Sequence, residues 1–96
     1  MPDDAVPQAT FINFLGGLAS QALMQFGEIP NPMSGERTKN IAYARYTVQL
    51  LEVLRDKTEG NRTPDEDQYL LAAIADFRRR LAASPADGGE APPRTA

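Results

Sequence analysis

DKTEGNRTPDED, residues 56–67, separates two apolar segments of helical period and decides the fold. Gly60 supplies a left-handed stop for the segment before it, with Asn61 tolerating the same region. Thr63-Pro64-Asp65-Glu66 is a capping-box start, with proline at the first helical position. A stop followed three residues later by a start reads as a tight corner between two helices. Lys57, Gly60, Asn61, Thr63 and Glu66 are therefore expected as structural corner residues rather than as a site.

Beyond the corner, Leu70, Ile74, Phe77 and Leu81 recur at helical spacing. Asp65, Glu66 and Asp67 at one end, and Arg78, Arg79 and Arg80 at the other, suit the helix dipole. The carboxylates lack the glycine and ligand spacing of a calcium loop, so no metal is expected there. Three successive arginines spread around a helix, so they make no single phosphate-binding patch. Before the corner, a helix is expected from Arg37–Asn40 to Lys57. Ile41, Ala44, Val48, Leu51 and Arg55 lie on one stripe, with Tyr43, Thr47, Leu50 and Leu54 beside it.

The first segment, TFINFLGGLASQALMQFG, has Thr10 as N-cap and Gly27 as its stop. Phe11, Leu15, Leu18, Ala22 and Phe26 follow the 3.6-residue period, and Ile12, Ala19 and Leu23 widen the face. Phe14 adds an apolar side elsewhere on the helix. A helix apolar over most of its circumference is normally buried on several sides. Gly16 and Gly17 each cost about 1 kcal/mol relative to alanine in a helix interior. With Ala19 and Ser20 they leave a small-residue patch that admits close packing, within the chain or between chains. Phe11, Phe14, Leu15, Gly16, Leu18, Ala19, Ala22 and Phe26 are thus the candidate interface. Between this helix and the next, Pro30, Pro32 and Gly35 forbid regular helix.

The resulting fold is all-α, with three helices, the second and third an antiparallel hairpin. Residues 10–83 form the helical domain, with a flexible arm at 1–9 and a disordered tail at 84–96, rich in proline and glycine. A chain of 96 residues is one domain at most. At this size it buries only about 60 % of its unfolded surface. Self-association as a homodimer or higher homo-oligomer is expected to complete its core.

Composition narrows the function. The chain has no His and no Cys, so it lacks the usual general base near neutral pH and the usual thiolate nucleophile. No phosphate loop, nucleophile elbow or dinucleotide fingerprint is present. A non-enzyme without cofactors is expected. The net charge of −3 argues against nucleic acid as a partner. MPDDAVPQAT carries acid where a secretory leader carries base. Phe11–Phe26 falls short of the roughly 20 residues of a membrane span. A cytoplasmic, self-associating interaction or scaffold module is the leading reading. The alternative is an apolar docking module whose first helix takes a partner protein's helix, an acyl chain or a membrane interface. The first helix lacks a basic rim, which counts against the membrane.

ALMQFGEIPNP (22–32), followed by IAYARYTVQLLEVLRDKTEGNRTPDEDQYLLAAIADFRRRL (41–81), resembles a family of small bacterial proteins, the domain of unknown function numbered 1844. The likeness rests on Lys57-Thr58-x-Gly60-Asn61-x-Thr63 and its flanks, and spans roughly residues 10–81. It implies a helical fold and a bacterial source, and no activity. The family usually carries an apolar residue where Arg62 stands. Arg62 precedes the N-cap and Asp67 lies four residues into the helix, the two positions of a hydrophobic staple. Neither is apolar, so no staple is expected at this corner.

Overall fold

Three side-chain caps begin three helices. The computed structural model describes residues 6–84. The arm expected over 1–9 and the tail over 84–96 lie mostly outside the described residues. Thr10 Oγ1 accepts the Asn13 N–H at 3.0 Å, opening α1, Phe11–Gln25. Asn40 Oδ1 accepts the Tyr43 N–H at 3.1 Å, opening α2, Ile41–Lys57. α3, Pro64–Ala83, opens on the full capping box. There Thr63 Oγ1 accepts the Glu66 N–H at 3.2 Å, and Glu66 Oε1 accepts the Thr63 N–H at 2.9 Å. Each cap satisfies a backbone donor that the first helical turn cannot. Among the described residues all regular structure is helical.

α2 begins at Ile41, after the window expected from sequence, because Asn40 spends its side chain as the cap. α1 ends as Gly27 allows. The Gly27 N–H donates to Met24 O at 3.0 Å and the Glu28 N–H to Leu23 O at 2.9 Å, with Gly27 at φ 79°. This is a Schellman motif, in which glycine takes the left-handed position without steric cost. The connection then folds on Asn31, whose Oδ1 accepts the Met33 N–H at 2.7 Å. It returns so that the Asn40 N–H donates to Gln25 O at 2.7 Å, tying the start of α2 to the end of α1.

The three helices all touch one another. Leu15, Ala22 and Phe26 from the α1 side meet Ala44, Val48 and Leu51 of α2 and Leu70, Ile74 and Phe77 of α3. The Phe26 and Phe77 rings stack at 5.9 Å. Burying a side chain of Leu or Phe size contributes about 1.5–3 kcal/mol. Thr47 is the buried polar exception, and its Oγ1 donates to Gln25 Oε1 at 2.6 Å.

The corner departs from expectation in two ways. Gly60 is left-handed, at φ 83°, but α2 is capped two residues earlier, at Thr58. The Asn61 N–H closes a turn on Thr58 O at 2.9 Å. The second departure is Arg62. Its Nη1 donates to Arg55 O at 2.6 Å and to Thr58 Oγ1 at 3.0 Å. Its Nε and Nη2 hold Asp67 Oδ1 at 2.9 and 2.7 Å. Arg55 O belongs to the last turn of α2, where carbonyls have no helical partner. Asp67 lies in the first turns of α3. The staple excluded on hydrophobic grounds is therefore present in ionic form, joining the same two positions through charge.

The Arg62 side chain is only 9 % exposed, whereas that of Asp67 is 44 % exposed. Water can take over at Asp67 but reaches the Arg62 site poorly. Arg62→Ala should lower the unfolding free energy by about 2 kcal/mol, and Asp67→Asn by about half as much. Arg62→Leu combined with Asp67→Leu, which makes the staple apolar, should cost less than Arg62→Ala. Urea denaturation of the three variants checks this. Arg62→Ala unfolding like the unsubstituted chain would remove the clamp from the account.

Candidate interaction surface

The eight interface candidates on the first helix do not share one fate. Leu15, Ala22 and Phe26 are buried in the chain's own core. Phe11, Leu18 and Ala19 pack partly against it. Gly16 lies beside α3, where an added Cβ would sit 3.5 Å from the Tyr69 hydroxyl. Phe14 alone of the eight is a large side chain left half-exposed, its ring 6.5 Å from that of Phe11. The expected interface is corrected accordingly: three of its residues are inaccessible to a partner of this folded chain. The physical reason is that α1 is covered from two sides. Gln25 meets Thr47 of α2, and Gly16 meets Tyr69 of α3. Breadth of an apolar arc does not by itself show how many neighbours cover it.

What α1 leaves exposed is still unusual for a surface. Asn13, Phe14, Gly17, Ser20 and Gln21 face solvent, and none is charged. No Asp, Glu, Lys or Arg occurs between Asp4 and Glu28. Solvated helix faces ordinarily carry charge. The centres of protein interfaces are depleted of it.

α2 adjoins this surface. Gln21 and Gln25 of α1 line an open cleft together with Asn40 and Tyr43. From that cleft Tyr43, Tyr46 and Val53 stand half-exposed along α2, with Leu50 partly buried among them. Positions 43, 46, 50 and 53 are spaced three, four and three apart, the a and d spacing of a helix-pairing seam. The Tyr43 and Tyr46 rings meet edge to face, with centroids 6.1 Å apart. Tyr43 and Leu50 lie at the margin of the core stripe, and Tyr46 and Val53 lie outside it. The three-four-three spacing was the signal available in the sequence.

Several charges elsewhere are paired within and between the helices. Arg78 pairs with Glu52 of α2. Arg79 binds Asp76 at 2.9 Å. Arg80 binds Glu28 at 2.8 Å and Asp76 at 3.2 Å. Burial works against the charge on Arg80, but Asp76 and Glu28 outweigh it and its pKa rises. Arg79 and Arg80 thus converge on Asp76, while Arg78 reaches across to α2. At the start of α3, Glu66 serves the capping box and Asp67 the Arg62 clamp. Lys57, Gly60 and Asn61 are exposed at the corner.

Residues 8–83 match the family model DUF1844, described as a domain of unknown function. Comparisons with curated proteins and with solved structures find no match.

Gly17 has nothing within 4 Å of the place its Cβ would take, and the Gly16 Cβ would make only an ordinary contact. Gly17→Ala should therefore raise the unfolding free energy by up to about 1 kcal/mol through helix propensity. Thermal unfolding followed by circular dichroism measures it, and a lowered midpoint would contradict the placement of Gly17 on open surface.

Proposed function

The chain belongs to the DUF1844 family, and we propose that it is a non-catalytic interaction module that self-associates through the outer side of α1 and α2. The observation that carries this reading is the uncharged, half-apolar surface made by Phe14 and Gln21 with Tyr43, Tyr46, Leu50 and Val53. Apolar side chains scattered singly over a surface need no explanation, but a contiguous patch marks an interaction site. Two of these residues are tyrosines, a type that gives large contact area at little cost in side-chain entropy. The ion pairs described above that leave α3 join it to Glu52 of α2, to Glu28 and to Arg62 of the corner.

The non-catalytic part of the reading is supported by a sequence without His or Cys. It is supported too by Glu66 and Asp67 at the start of α3, which are engaged in capping and clamping. A cytoplasmic setting accords with the lack of cysteine, which a reducing compartment does not call on for stability. Among the described residues no helix is long and apolar enough to cross a membrane.

Substitution on the two sides of the molecule tests the surface. Tyr46→Lys and Val53→Lys should each convert the dimer to a monomer in light scattering coupled to size exclusion. Leu71→Lys, at an exposed apolar position of α3 outside the surface, should leave the dimer intact. Circular dichroism confirms that each variant is folded. Tyr46→Lys and Val53→Lys chains that associate like the unsubstituted protein would overturn the assignment.

A further inference from the structure

Resting on that reading, we infer that the occupant of the surface is a second copy of the chain, with α2 crossing its counterpart antiparallel about a two-fold axis. In this register Tyr46 faces Leu50 of the other copy and Tyr43 faces Val53. The axis runs across the helices, so α1 also lies against its own counterpart. Both contacts are isologous, and every residue at the centre meets an uncharged one.

Area and charge both favour this arrangement. α1 and α2 have 15 and 17 residues, hence lengths of about 22 and 25 Å. Packed side by side about 9 Å apart, they offer a face of on the order of 500 Å² in projection. Corrugation by side chains brings its accessible area near the roughly 800 Å² per partner of a stable interface. One helix alone would supply about half of that.

Charge selects the direction. Exposed Arg37 and Lys39 make the end before α2 basic, whereas its other end is balanced, with the Arg55–Asp56 pair at 3.1 Å and exposed Lys57 and Glu59. Antiparallel crossing brings the basic end of each α2 to the balanced end of the other, near Glu59. It also sets each helix N-terminus against a C-terminus, with opposed dipoles. Parallel crossing would set Arg37 and Lys39 against their own copies, a like-charge arrangement that disfavours association.

The absence of cysteine makes a direct test available, because any introduced thiol is the only one in its chain. Tyr43→Cys and Val53→Cys are made in separate full-length chains, then mixed and oxidised. Tyr43 of one copy lies about ten residues, hence about 15 Å, along the axis from Tyr43 of the other. A disulfide needs Cα atoms within about 7 Å. The mixture should therefore yield a covalent heterodimer, while neither variant cross-links to itself. Self-cross-linking of each variant would overturn the antiparallel direction. A dimer by light scattering without either cross-link would remove α2 from the axis and leave self-association standing. Monomers of the unsubstituted chain would overturn both. Should a cysteine variant itself be monomeric, Tyr46→Lys and Leu50→Glu chains are mixed instead. A heterodimer from two monomeric variants supports the seam, and failure to pair overturns it.

Discussion

The Arg62 guanidinium is the contact on which the arrangement of α2 and α3 depends. It binds a carbonyl from the last turn of α2, the cap of that helix and a carboxylate of α3. Because charge-assisted bonds are directional, the clamp sets the angle at which one helix leaves the other. That angle brings Leu70, Ile74 and Phe77 against Ala44, Val48 and Leu51. α1 then closes the third side through Leu15, Ala22 and Phe26. The outward direction of Tyr43, Tyr46 and Val53 follows from the same geometry, since the opposite side of α2 is committed to the core.

Much of the fold was legible because its signals are local. Thr10 and Thr63 cap as their types and neighbours suggest, and Gly27 and Gly60 take positive φ. The Leu70, Ile74, Phe77 stripe is buried as its period requires. Arg62 was not legible, because its principal partner on α2 is a backbone carbonyl seven residues upstream. Side-chain spacing gives no notice of such a contact. The exposed side of α1 was half legible. The apolar character of α1 pointed to that helix, but only the packing shows which of its sides α2 and α3 cover. The seam on α2 lay in the spacing of four residues that shared their helix with a stronger core stripe.

The distribution of charge links fold to function. Arg78 and Arg80 are tied to carboxylates on other parts of the fold, Glu52 and Glu28. Exposed pairs of this kind contribute at most about 1 kcal/mol each, so their chief effect is to direct neighbours rather than to hold them. A charge-free helix on the other side of so small a domain has no such directing role within the monomer. In the proposed pair it would let two copies approach without desolvating ions, a step that costs several kcal/mol per ion. One small core and one uncharged helix face are the two features that the proposed association rests on.

The central claim is that this face binds a second copy. Sedimentation equilibrium of the unsubstituted chain, across concentrations from nanomolar to high micromolar, tests it most directly. The expected mass rises with concentration and levels at twice that of the chain. A single-chain mass throughout the range would contradict it.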